Sequence, residues 1–159
     1  GRLNESDITY RFFSYPQVGQ TKKKLCKYYS GFYLKVQPKS IILSNLYAYS
    51  SYPSEQRNAL LAELLNGNYD IIIGVHAPLA ARLATLKKHL KDTKCIGWIH
   101  NSFEAIFGEK SHYYIGAKRC RHYIYQFRKL DNVVLLCNHD ANSYHEYDPR
   151  FKPTVIYNP

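Results

Sequence analysis

The chain contains a continuous apolar run at Asp70-Ile71-Ile72-Ile73-Gly74-Val75. Such a run is typical of a β-strand that is buried on both faces, as the strands of parallel sheets are. Two further apolar runs follow at Cys95–Ile99 and at Val133–Cys137, and a strand-like segment occupies Thr154–Tyr157. We interpret these segments as the strands of one sheet.

Helical patterns lie between these strands. The sequence predicts helices over residues 54–67, 78–90 and 113–130, and a short helix over residues 140–147. In the second of these, Pro78 suits the first turn, and leucines recur on one face at Leu79, Leu83, Leu86 and Leu90. The alternation of buried strand and helix predicts an α/β fold for residues 54–157, a Rossmann-like open parallel sheet with helices on both faces. The first fifty residues are less informative, but Ile41-Ile42-Leu43 predicts a short strand.

The composition limits the classes of protein to which the chain can belong. It has 159 residues, of which 45% are hydrophobic, enough for one core and too many for a disordered chain. No apolar run approaches the roughly 18–20 residues that a membrane span requires. The formal net charge is +10, and 16 residues are Tyr. This balance suits either nucleic acid or an anionic membrane surface, and composition alone does not separate the two.

The cysteines and the N-terminus indicate the cellular setting. Cys26, Cys95, Cys120 and Cys137 are widely spaced without a C-x-x-C pair, which argues against a zinc ribbon and against a disulfide framework. A reducing compartment is the simplest fit. The chain begins with Gly1, contains no Met and has no signal-peptide pattern. We therefore expect it to be a processed protein or a piece of a larger one.

Polar side chains follow each of the first three predicted strands. They are His76 after the first strand, His100, Asn101 and Ser102 after the second, and Asn138 and His139 after the third. In open parallel sheets, ligands bind outside the carboxyl ends of the strands. Imidazole, amide and hydroxyl groups gathered there could hydrogen-bond a hydroxyl-rich ligand. The sequence therefore predicts a binding site at this edge of the sheet.

Each of these residues also has a structural interpretation. His76 could simply contact the start of the next helix, and Asn138 or Asp140 could cap the last one. His100 is the strongest candidate for a functional role. It begins a polar cluster in a connection that is too long for a tight turn.

Several well-known catalytic patterns are absent from the sequence. It has no G-x-G-x-x-G or G-x-x-x-x-G-K-[ST] loop for phosphates, no G-x-S-x-G elbow and no D-x-D motif. Carboxylates are scarce after the predicted strands, which argues against hydrolysis of glycosides by paired acids. We therefore expect no metal site and no tightly bound cofactor in this chain.

The predicted helix over residues 113–130 is basic and aromatic. Its cations are Lys118, Arg119, Arg121, Arg128 and Lys129, with Tyr114 and Tyr125 among them. The simplest interpretation is a solvated helix face. A second one is a surface that lies on an anionic membrane, at about 1 kcal/mol for each basic residue close to the lipid.

Three stretches resemble the N-terminal domain of family-4 glycosyltransferases of the GT-B fold. Ile96-Gly97-Trp98-Ile99-His100-Asn101-Ser102-Phe103-Glu104-Ala105-Ile106-Phe107 is similar to the strand and acceptor-side loop of that domain. Asn132–Asn138 is similar to the following strand, and Pro153–Pro159 to the hinge into the C-terminal domain. The resemblance covers residues 54–159 and lacks the glycine-rich loop that follows the family's first strand.

The resemblance implies a retaining enzyme that transfers a sugar from a nucleotide-sugar to a glycan acceptor, often lipid-linked, in the synthesis of surface polysaccharide or glycoconjugate. In that family the N-terminal domain binds the acceptor, the C-terminal domain binds the donor, and no metal is needed. His100 matches the family's histidine beside the donor sugar and the acceptor, and Asn101 and Ser102 follow it in the same loop. The chain of residues 1–159 would then be a single acceptor-side domain without its donor half, and inactive alone.

This interpretation has two competitors. One is a non-enzymatic α/β module that binds nucleic acid through its basic, Tyr-rich face, although no stacking or helix-turn-helix motif is readable. The other is a flavodoxin-like binder of a small molecule, which ranks last because no phosphate loop is present. The leading interpretation expects a cytoplasmic protein held peripherally at the inner face of the plasma membrane, with no nucleic-acid partner.

Overall fold

A computed structural model describes residue 9 and residues 11–110 and 115–157. The elements, in chain order, are α1 (Gln20–Val36), α2 (Ile41–Ser51), α3 (Ser54–Asn66), β1 (Ile71–Val75), α4 (Ala77–Leu86), β2 (Lys94–Ile99), α5 (Phe103–Phe107), α6 (Cys120–Phe127), β3 (Asn132–Leu135), α7 (Asn138–Tyr147) and β4 (Thr154–Val155). Short 3-10 turns follow α4, at Lys87–His89, and precede α6, at Ala117–Arg119.

The four strands form one parallel sheet in the order β1-β2-β3-β4. Val75 of β1 lies opposite Trp98 of β2, and Ile99 of β2 lies opposite Leu135 of β3. Helices flank the sheet, so the predicted α/β class and the open, Rossmann-like parallel sheet are confirmed. Since all strands run the same way, their carboxyl ends meet at one edge.

Helix α4 packs closely on β1 and β2 because the facing residues are small. A Cβ added to Gly74 would lie 2.8 Å from the Cα of Ala80, and one added to Gly97 would lie 3.1 Å from the Cβ of Ala80. Ala80 is fully buried. The leucine stripe predicted for this helix is correct except at Leu79, which is 45% exposed because alanines occupy the face toward the sheet.

Strand β1 is not buried on both faces, so that part of its prediction is wrong. Ile71, Ile73 and Val75 are 56%, 45% and 36% exposed, whereas Gly74 between them is buried under α4. The reason is position: β1 is the first strand of the sheet in the described residues, and α4 covers only the face to which Gly74 belongs.

The strand predicted at Ile41–Leu43 is also wrong, because these residues begin helix α2. Ser40 caps the helix: its Oγ accepts a hydrogen bond from the Leu43 backbone N–H at 3.4 Å. The buried residues Ser44, Tyr47 and Ala48 fall at helical spacing, and α2 packs against α1 and α6. Three apolar residues in a row thus did not distinguish a strand from the first turn of a helix.

The basic helix is shorter than predicted and has a different outer face. Helix α6 covers Cys120–Phe127 rather than residues 113–130, and Tyr113 and Tyr114 lie outside the described residues. By helical spacing, a helix over residues 113–130 would place His122 on the same outer face as Lys118 and Lys129, but His122 is only 4% exposed. Helix α2 covers it, and Ser44 Oγ lies 2.9 Å from His122 Nδ1.

Candidate functional site

The carboxyl edge of the sheet gathers the predicted site residues. His76 directly follows β1, His100 directly follows β2, and Asn138 and His139 begin α7 just beyond β3. Because β1, β2 and β3 are parallel neighbours, these three chain segments leave the sheet side by side.

His76 has a strained backbone. Its φ of 68° and ψ of 156° lie in a region that residues other than glycine rarely adopt. Its N–H donates to the carbonyl oxygen of Trp98 at 2.9 Å, and its carbonyl oxygen accepts from the N–H of Ala80 at 3.0 Å. Such a conformation costs on the order of 1–3 kcal/mol and is found preferentially at functional sites. The side chain that this backbone carries is exposed at the edge of the sheet.

His76, His100 and Asn101 form a side-chain cluster. The Nδ1 atom of His76 lies 3.2 Å from the amide oxygen of Asn101, and the ring centroids of His76 and His100 are 5.8 Å apart. Since an amide oxygen can only accept, Nδ1 of His76 is the donor in this contact. Both imidazoles are exposed, so their ring nitrogens are accessible at the edge of the sheet.

Trp98 holds the ring of His100. The two rings stack with centroids 5.3 Å apart and planes 12° from parallel. Trp98 is the last but one residue of β2, and its side chain is half-buried. This stack favours one orientation of the His100 ring.

Ser102 and Asp140 organise the loops behind the cluster. Ser102 Oγ accepts from the Ala105 N–H at 3.2 Å and caps α5. The carboxylate of Asp140, which is buried, accepts from the Phe103 N–H at 2.8 Å and from the Cys137 thiol at 3.2 Å. Asp140 thus joins the segment after β2 to the one after β3, whereas Asn138 and His139 are exposed in the first turn of α7.

The structure adds two residues that the sequence analysis did not assign to the site. The sequence pattern places Trp98 within a strand and makes Asp140 a candidate helix cap, and neither feature indicates a role in the site. A signal for Trp98 was available, since an aromatic residue two positions before His100 on a strand lies on the same side of the sheet. The contact of Asp140 with Phe103 spans 37 positions and has no local signature.

The predicted membrane-facing cations are largely engaged with the chain itself. Arg119 Nε donates to the Tyr47 hydroxyl at 3.0 Å, and Arg128 pairs with Asp148 at 3.2 Å. Lys129 donates to the side chains of Asn45 and Gln126, and Arg121 lies 3.5 Å from the Gln37 carbonyl oxygen. Lys118 is exposed. These contacts do not test membrane binding, which stays a prediction for this surface.

The edge cluster offers ring nitrogens and a side-chain amide as hydrogen-bonding groups. Two imidazoles and an amide, in reach of one another, suit a ligand with several hydroxyl groups. In the described part of the chain, no group of three or more His, Cys, Asp or Glu side chains is placed to hold a metal ion. Comparison with protein-family models, with curated proteins and with solved structures finds no match to this chain.

Proposed function

We propose that this chain is the acceptor-binding half of a retaining glycosyltransferase, which transfers a sugar from a nucleotide-sugar to a glycan acceptor, lipid-linked in the simplest case. The observation that carries the proposal is the cluster of His76, His100 and Asn101 at the carboxyl edge of the parallel sheet. It is supported by the resemblance of residues 96–107 to the acceptor-side loop of family-4 enzymes.

In the proposed reaction, the main task of this acceptor-binding domain is to position the acceptor hydroxyl. In the transfer, the bond between the anomeric carbon and the leaving diphosphate oxygen breaks, and a bond from that carbon to the acceptor hydroxyl oxygen forms on the same face. The proton of the acceptor hydroxyl passes to the departing phosphate oxygen, so no strong base is required. Holding the hydroxyl beside the departing oxygen, on the face where the new bond forms, accounts for much of the rate enhancement.

The edge residues fit such a role. His100, held by Trp98, would hydrogen-bond the reacting sugars, and His76 with Asn101 would hold a neighbouring hydroxyl of the acceptor. The donor would be bound mainly by a second domain, which this chain lacks in the proposal. Asn138 and His139 would extend the acceptor site along the same edge.

Sugar transfer is the experiment that tests this proposal. The protein that carries this chain is incubated with a panel of labelled nucleotide-sugars and a membrane extract as the source of acceptor. We expect label in the glycolipid fraction with at least one donor, and none when the 159-residue chain is used alone. Transfer by the chain alone would contradict the assignment as a half-site. Absence of transfer with every donor, together with tight saturable binding of an oligonucleotide, would favour the nucleic-acid alternative.

A further inference from the structure

Helix α1 carries an exposed apolar stripe. Leu25, Tyr28, Phe32 and Val36 are 69%, 77%, 54% and 53% exposed. Their spacing of three, four and four residues places them on one face of a 17-residue helix. The neighbouring helix α2 exposes further apolar side chains at its start, with Ile42 at 74%.

This stripe is separate from the face that α1 uses for packing. Tyr33 is 2% exposed and stacks on Tyr47 of α2 with ring centroids 4.4 Å apart. Tyr29, one turn earlier, donates from its hydroxyl to the Leu43 carbonyl oxygen at 3.1 Å. The fold therefore already buries the other side of α1, and the stripe lies outside the hydrophobic core.

The segment that contains the stripe carries charge of one sign, although Glu109 from another part of the chain lines a groove together with Lys35. Residues 8–54 contain no Asp or Glu, and their basic residues are Arg11, Lys22, Lys23, Lys24, Lys27, Lys35 and Lys39. Lys22 pairs with Glu55 at 2.7 Å, whereas Lys23, Lys24, Lys27 and Lys35 are exposed on α1. Lys24 and Lys27 line one open groove together with Tyr28, Gly31 and Phe32. Cations and apolar rings thus share one surface.

We propose that this face of α1 docks on an anionic lipid bilayer. The helix would lie along the surface, with Leu25, Tyr28, Phe32 and Val36 in the boundary between headgroups and acyl chains. Lys24 and Lys27 would lie against lipid phosphates. The proposed contact is peripheral. None of the helices in the described residues is both long and apolar enough to cross a membrane. This proposal does not depend on sugar transfer.

The charge pattern favours lipid over the other possible occupants. A second copy of the chain would bring another set of lysines against the first, because the same surface is basic in both copies. Binding of nucleic acid would use the lysines but would leave Leu25 and Val36 in water. Only an anionic surface with an apolar interior complements both parts of the face.

The test is sedimentation of the intact 159-residue chain with vesicles that contain no glycan acceptor. One set is neutral phosphatidylcholine, and the other also contains an anionic phospholipid. Two double variants are compared with wild type: Leu25→Gln with Phe32→Gln, and Lys24→Gln with Lys27→Gln. The matched controls are Leu65→Gln, on a leucine of α3 that is 53% exposed, and Lys88→Gln with Lys91→Gln, on exposed lysines at the same spacing of three.

We expect wild type to sediment with anionic vesicles and to be released by salt, since screening weakens its attraction to the lipid phosphates. Each α1 variant should bind at least about tenfold more weakly, because it loses apolar insertion or phosphate contacts, and the controls should bind as wild type does. The proposal is overturned if wild type stays in solution with anionic vesicles, or if the α1 variants bind as tightly as the controls. It is also overturned if wild type self-associates without binding vesicles and Leu25→Gln with Phe32→Gln yields a monomer.

Discussion

Replacing His100 with alanine should lower sugar transfer by at least about a hundredfold, or ~2.7 kcal/mol of transition-state stabilisation, which is the scale for one positioned polar group. The variant is made in the protein that carries this chain and assayed with labelled donor and membrane extract. The fold should survive the change, because the His100 side chain is exposed and its ring contributes to a surface stack rather than to the core.

A control variant at a second exposed histidine distinguishes a specific role of His100 from a general effect of removing a surface imidazole. His89 is also exposed, but it lies in the turn after α4, which leads into the amino end of β2. His89→Ala should retain wild-type transfer. If His100→Ala transfers sugar at nearly the wild-type rate, His100 does not belong to the reacting site.

Acidification from pH 7 to pH 5 should destabilise the fold by about 2 kcal/mol through His122 alone. Burial lowers the pKa of this imidazole from 6.5 to about 3, with the positive charge of Lys129 acting in the same direction. The folded state thus keeps His122 neutral, while the unfolded chain takes up a proton below its ordinary pKa of about 6.5. Stability is therefore full above that pH and falls as the pH decreases toward 3. Urea unfolding of the chain at several pH values measures it.

The variant His122→Asn is the control for that titration. An asparagine can still accept from Ser44 but does not titrate, so its stability should change far less between pH 7 and pH 5. Asp148 acts in a more acid range, because hydrogen bonds from Arg150 hold its carboxyl pKa below the ordinary value. An equal loss of stability in wild type and in His122→Asn over this range would show that His122 is not the group responsible.

The parallel sheet was predictable because its strands are marked locally. The runs at Asp70–Val75 and Cys95–Ile99 contain consecutive apolar residues, whereas a helix with one buried face needs them only every three or four positions. Because a helix connects the two strands, they can pair in parallel, as they do in the structure. The exposed face of β1 was not predictable. The apolar run shows that both faces of the strand could be buried, but it does not show which helices pack against them. The α1–α2 pair was missed for a related reason: its buried residues, such as Tyr33 and Tyr47, contact each other over a long sequence separation.

Some features of the candidate site were also predictable from the sequence, and others were not. The positions of His76 and His100 at one edge follow from parallel strands, so the sequence could place them. The contacts around the two histidines could not be predicted from the sequence. They are the stack of His100 on Trp98, the strained backbone of His76 and the hydrogen bond of Asp140 to the loop after β2. Those features depend on packing between elements rather than on a motif.

The most direct measurement follows the histidine ring signals of the chain by NMR during titration with a purified lipid-linked glycan in detergent. Binding at the carboxyl edge of the sheet should shift the ring resonances of His76, His100 and His139 together, with one affinity. His89 and His145, exposed at other places, serve as internal references and should stay unchanged. Shifts confined to the references, or no shift at saturating glycan, would contradict the assignment of this edge as the acceptor site.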